Sequence, residues 1–104
     1  MSSPVDPVRV WTALSLIPEG KVVTYGQLAE LSGSPRSARV VGNILKQLPA
    51  GSHLPWHRVI NSKGHISFPQ GSSQYAKQRT RLEAEGVALV AGKINLSLYR
   101  WQGE

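Results

Sequence analysis

The chain has 104 residues, a formal net charge of +6 and no cysteine. That length suits one domain over 1–104 with a modest core, and the missing thiols exclude disulfides, thiolate metal sites and a cysteine nucleophile. With only three scattered histidines no metal or other cofactor is expected. The lack of any membrane-length apolar run or signal-like N-terminus makes a cytoplasmic protein without membrane contact the expectation.

The distribution of charge says more than its sum. Between Leu31 and Leu82 lie Arg36, Arg39, Lys46, Arg58, Lys63, Lys77, Arg79 and Arg81, and no Asp or Glu at all. One region therefore carries most of the positive field, which points to a polyanionic partner held by phosphate neutralisation. A merely soluble basic surface is the bland alternative.

In chain order, Asp6 before Pro7 has the pattern of an N-cap and first helical position. Val10, Ala13, Leu14 and Ile17 then recur on one helical face, and Pro18-Glu19-Gly20 closes the helix in a turn. Lys21-Val22-Val23 is short and extended. Thr24-Tyr25-Gly26-Gln27 has capping-box spacing, and the helix it opens is expected to bury Leu28 and Leu31 and to stop at Gly33. Ser34-Pro35 repeats the cap-then-proline signal, so the next helix is expected over roughly 36–48, burying Val41, Ile44, Leu45 and Leu48. Two helices joined by a tight turn make a helix-turn-helix candidate. On the outer side of the second, Arg36, Arg39, Asn43 and Lys46 recur at helical spacing. Small Ser37, Ala38 and Gly42 would let a backbone come close.

Pro55-Trp56-His57-Arg58-Val59-Ile60 follows a Gly/Pro loop and opens a strand. Trp beside His and Arg can read an aromatic ligand by stacking, edge and charge; the same residues also suit a core Trp beside a satisfied His. Asn61-Ser62-Lys63-Gly64 is a turn, with His65-Ile66 as its expected return strand, and Ser67 to Ser73 is an exposed loop. A cationic helix is expected over about 74–85, closed by Gly86. Alternating Ile94, Leu96 and Leu98 after the Ala91-Gly92 turn predict a terminal hairpin or wing.

Four ordered stretches resemble the DNA-binding domain of the O6-alkylguanine-DNA alkyltransferases: residues 20–26, 35–42, 55–60 and 82–86. The hexapeptide is similar to their active-site motif with Trp56 in place of the acceptor cysteine, the mark of the non-catalytic alkyltransferase-like proteins. The resemblance implies an α+β, mainly helical, winged-helix-like fold with a helix-turn-helix and a small β wing. It also implies minor-groove binding of double-stranded DNA containing O6-alkylguanine, through Tyr25, Arg36, Ser37, Ala38, Arg39, Gly42, Asn43 and Lys46. In that likeness Tyr25 presses on the phosphate beside the target, and Arg39 fills the stack that the flipped nucleotide leaves. Tyr25, Trp56, Ser67, Phe68 and Pro69 are the implied lesion pocket. His57, Arg58 and Glu85 are implied as structural support, with no catalytic residue. The further implications are a monomer that holds the lesion and flags it to nucleotide excision repair proteins. Phe68-Pro69 stands where some alkyltransferase-like members have a basic residue, and Leu48 where the family often has Asn.

Two other readings follow from the residues. His57 and Glu85 could activate water as an enzyme, although no metal or second positioned acid is in evidence. The chain could also be a helix-turn-helix regulator reading sequence in the major groove, which needs longer polar side chains than Ser37, Ala38 and Gly42.

Overall fold

The computed structural model describes residues 5–49 and 51–103. Helix α1, Pro7–Ser15, starts where Asp6 accepts a side-chain hydrogen bond from the Val8 amide at 2.9 Å. Its expected apolar face is buried, with Val10, Ala13, Leu14 and the following Ile17 all inside. Strand β1, Val23–Thr24, leads into helix α2, Tyr25–Leu31, and helix α3, Ala38–Lys46. A 3-10 turn at Trp56–Arg58 then delivers strand β2, Val59–Ile60, parallel to β1 with Val23 opposite Val59 and Thr24 opposite Ile60.

This short parallel ladder divides the interior. Neighbouring residues of a strand face opposite sides, so Val23 and Val59 join one core with α1, α2 and α3, while Val22 and Ile60 join a second. The second core takes Leu82 from helix α4, Ser73–Ala84, together with Ile66, Val87 and Ile94. The strand that ends the hexapeptide is thus held on both faces. The small hairpin pairs β3, Leu89–Val90, with β4, Lys93–Ile94, antiparallel, and Ala91 and Gly92 turn between them at positive φ. A mainly helical α+β fold with a helix-turn-helix and a small β element is what the sequence led us to expect.

Several details differ. Only half the capping box forms: Thr24 Oγ1 accepts from the Gln27 amide at 3.1 Å, but the Gln27 side chain is drawn to the C-terminal segment, donating to the Trp101 carbonyl at 2.6 Å and accepting from Arg100 at 3.0 Å. Leu31, expected inside, is 43% exposed, and Ala29 takes the buried position on α2. Helix α3 begins later than expected. Ser34 to Ser37 closes as a turn through the Ser37 amide and Ser34 carbonyl, and Arg36 at φ 74° leaves the helical path, so Ser37 is the cap position and has no side-chain capping bond. Of its expected inner face Val41 alone is fully buried, with Ile44, Leu45 and Leu48 partly buried against the first core.

His65-Ile66 is not a strand. The backbone of the Asn61–Gly64 turn instead docks on β4, where the Ile94 amide donates to the Gly64 carbonyl at 2.8 Å. A Cβ on Gly64 would lie 2.6 Å from the Ile94 carbonyl oxygen, so this close approach needs glycine. The tail does not continue as strand after Ile94 either. Asn95 caps the short helix α5, Leu96–Tyr99, by accepting from the Ser97 amide at 3.0 Å. Asn competes for backbone donors in this way, which ends the alternation that Leu96 and Leu98 predicted.

Candidate functional site

Helix α3 packs its inner side on α1 and α2 and leaves Arg39, Asn43 and Lys46 exposed. Their spacing of four and three residues places them on one face. Ser37 and Ala38 are half-buried at the start of this helix, and Arg36 is exposed in the turn ahead of it, outside the helix where it was expected. None of Arg36, Arg39 and Lys46 forms an ion pair among the described residues. Gly42 is half-buried opposite Tyr25, whose ring would lie 3.7 Å from an added Cβ. Space within the protein does not demand glycine there.

Beside this face Tyr25, Trp56, Ser67, Phe68 and Pro69 converge on one cavity of about 140 Å³, which also reaches Gly42, Leu45 and Lys46. Trp56 meets Phe68 edge to face, with ring centres 6.2 Å apart and planes at 87°. The guanidinium of Arg81 lies 5.4 Å from the Trp56 ring centre, at cation–π range. A larger cleft of about 490 Å³ shares Trp56, Phe68, Leu45 and Lys46 with the first and adds Lys77. Trp56 therefore stands between two openings, under a positive charge.

Behind Trp56 the hexapeptide is tied to the end of α4. His57 Nε2 lies 2.6 Å from Glu85 Oε2. Arg58 donates to the same carboxylate from Nε at 2.9 Å and from Nη2 at 2.7 Å, and from Nη1 to the Ile17 carbonyl at 2.8 Å. The Gly20 amide adds a fourth donor group at 3.1 Å. The support that Arg58 gives is thus mostly a carboxylate bond, because the planar guanidinium fork matches Glu85. Burial works against ionisation of Glu85, but the bonds from Arg58, His57 and Gly20 outweigh it and hold its carboxyl at about 2. Burial pulls the His57 imidazole below its usual value, with Arg58 and Arg81 adding to that against the pull of Glu85. At neutral pH the arrangement is a neutral imidazole donating from Nε2 to an anionic carboxylate, which leaves His57 Nδ1 without a hydrogen-bond partner among the described residues.

Three contributors were not foreseen. Gln78, almost wholly buried, donates from one nitrogen to the carbonyls of His57 and Val59 at 3.0 and 2.9 Å, clamping the hexapeptide backbone to α4. Its place four residues before Leu82, on the same helical face, was the available signal. Arg81 over Trp56 and the Gly20 amide on Glu85 join positions far apart in the chain, and no local pattern marks them.

The family model for the 6-O-methylguanine DNA methyltransferase DNA-binding domain matches residues 7–87. The DNA base-flipping protein of Escherichia coli is 54% identical over 96 residues, covering 91% of this chain and 73% of that protein. Alkyltransferase-like protein 1 of Schizosaccharomyces pombe is 46% identical over 99 residues, covering 90% and 92%. A crystal structure of the S. pombe protein with damaged DNA containing O6-carboxymethylguanine matches with a TM-score of 0.85 at 42% identity, over 98% of this chain and 99% of that one. The Mycobacterium tuberculosis OGT in complex with DNA matches with a TM-score of 0.67 at 37% identity, over 76% of this chain and 48% of the other. The chain belongs to the 6-O-methylguanine DNA methyltransferase DNA-binding-domain family, as an alkyltransferase-like member with tryptophan at the acceptor position.

Proposed function

We propose that this protein binds duplex DNA through the minor groove, flips O6-alkylguanine into the cavity walled by Trp56, and performs no chemistry on it. The observation that carries this reading is the convergence of Tyr25, Trp56, Ser67, Phe68 and Pro69 on a cavity bordered by a helix whose cations form no ion pair among the described residues. Without a cysteine the family's acceptor reaction has no nucleophile. Arg39 is the side chain for the vacated stack: it is exposed, and its flat guanidinium can both stack and hydrogen-bond to the orphaned base. Extruding the base costs a few kcal/mol, which the pocket must return. Support comes from the name of the E. coli relative and the damaged DNA in the S. pombe complex. A monomer in the cytoplasm that hands the held lesion to nucleotide excision repair completes the proposal.

A competition titration of alkylated against unmodified duplex tests it, with tighter binding of the alkylated duplex expected. Equal affinity for both, with strong preference for one sequence, would instead favour a sequence-reading regulator. Binding should weaken steeply with salt: for four or five phosphates contacted, log K should fall against log salt with a slope of about −4, at roughly −0.9 per contact. A slope near zero would remove the DNA-binding reading itself.

Arg39→Ala should weaken binding to alkylated duplex by about 1–3 kcal/mol, the range for a lost charge-assisted bond. Tyr25→Ala should reduce extrusion, reported by a fluorescent base analogue at the target. Tyr25 also packs against the first core, so its variant is compared at a temperature where it remains folded. If both variants bind and flip like the parent, the proposed division of labour is wrong.

A further inference from the structure

A groove of about 910 Å³ is built by the Asn61–Gly64 turn, the β3–β4 hairpin and α5, and shares no residue with the two clefts at Trp56. Its lining mixes polar residues with an apolar share that makes up most of its surface, with Val90 74% exposed, Leu98 61% exposed and Leu96 partly exposed. Lys63, His65 and Lys93 border it, and among the described residues no acid does. Neither lysine forms an ion pair among the described residues. Most of the groove comes from residues 88–99, beyond the family-matched DNA-binding domain at 7–87.

We infer that this groove is a docking site for an acidic protein segment studded with apolar side chains. Apolar side chains left in water gain about 25 cal/mol per Å² when covered, and a phosphate backbone cannot cover them. Nucleic acid would match the lysines and waste the valine and leucines; a neutral apolar helix would match the leucines and leave the cations without partners. A segment carrying both acids and apolar residues satisfies the whole surface. The purpose of such docking rests on the proposed function, because a protein that only holds damage must be read by another. The groove lies on the second core, away from α3, so a partner could sit there while DNA is bound.

The probe is a short fluorescein-labelled peptide alternating Asp and Glu with Leu and Phe, against its counterpart with Lys in place of the acids. Amide shifts of the labelled protein should move at residues 62–65 and 88–99 with the acidic peptide only. Lys63→Glu together with Lys93→Glu should weaken it roughly fivefold to tenfold, as expected for two exposed charge pairs lost. Leu98→Ser should weaken it separately, with affinity for alkylated duplex unchanged. Equal binding of the two peptides would overturn the inference, as would shifts centred on α3. So would a loss of DNA affinity in the double variant as large as that of Arg39→Ala, which would put the groove in the DNA footprint. Absence of lesion preference in the parent, with peptide binding intact, would sink the lesion-recognition reading and leave the groove standing.

Discussion

Trp56→Cys is expected to yield no efficient alkyltransferase, although His57 and Glu85 remain beside it. Counting residues predicts the opposite, since the change supplies the missing thiol and a His–Glu pair is already in place at 2.6 Å. Two physical terms oppose activity. Transfer needs the sulfur close to and in line with the alkyl carbon, and a misplacement of about 1 Å can cost on the order of 100-fold. The space around position 56 is shaped to an indole that meets Phe68 and His57 edge to face and lies beneath Arg81, so a smaller side chain has nothing to hold it in line. The thiol must also lose its proton, and the free value of about 8.5 leaves few thiolates at neutral pH. His57 is a weak acceptor, because burial lowers its basicity more than the bond to Glu85 raises it. Lesion affinity should fall as well, because one wall of the cavity is gone. Single-turnover transfer of a labelled methyl group from DNA to protein is the measurement. Stoichiometric labelling within minutes would mean that Trp56 only blocks a working active site.

The largest loss of stability is expected at Glu85. Its side chain is 10% exposed and joins His57, Arg58 and the Gly20 amide, so Glu85→Ala strands a nearly buried guanidinium and two further donors. Breaking such a pair by removing one partner costs about 3–5 kcal/mol, a large share of the roughly 5–15 kcal/mol that holds a domain folded. Glu85→Gln keeps an acceptor and should cost less. The pH dependence follows the two downward shifts. The folded state disfavours protonation of His57 and of Glu85, so the stability they contribute is complete above 6.5, the ordinary imidazole value. It starts to fall below that as His57 is driven to take a proton, and falls further from 4.5 towards about 2 as Glu85 does. Over that lower window Glu85→Gln should flatten the acid limb, since it has no carboxyl to protonate. Urea unfolding of parent and variant across that range reads both effects. A loss below about 1 kcal/mol on Glu85→Ala, the value of an exposed surface pair, would show that the cluster does not hold the two halves together.

What was legible in the sequence came from local chemistry. Asp6 before Pro7, Thr24 before Tyr25 and glycine at 33 and 86 placed helix ends, because caps and positive φ depend on one or two side chains. Periodicity gave α1 its buried face. Where a local signal met a distant competitor, it failed. Gln27 left the capping box for Trp101 and Arg100, more than seventy residues on. Pro35 began a turn, and Arg36 at φ 74° carried the chain out of the helix that spacing predicted. The strand expected through Leu98 stopped at Asn95, whose side chain captured the Ser97 amide.

The sequence alone determined the absence of a thiol, the acid-free basic stretch and the presence of Trp in the hexapeptide, since these are matters of composition and order. The likeness of four motifs carried the fold and the cluster of named pocket residues. Only the tertiary structure decided that Glu85 is shared by His57, Arg58 and Gly20, that Gln78 clamps the hexapeptide, and that Arg81 covers Trp56. It also decided that residues 88–99 make a groove apart from the cavity at Trp56. Those contacts join positions nineteen to sixty-five residues apart, and no local pattern reports a distance across the core. They are set by how α4 packs on the two-stranded ladder, which no single stretch of this chain encodes.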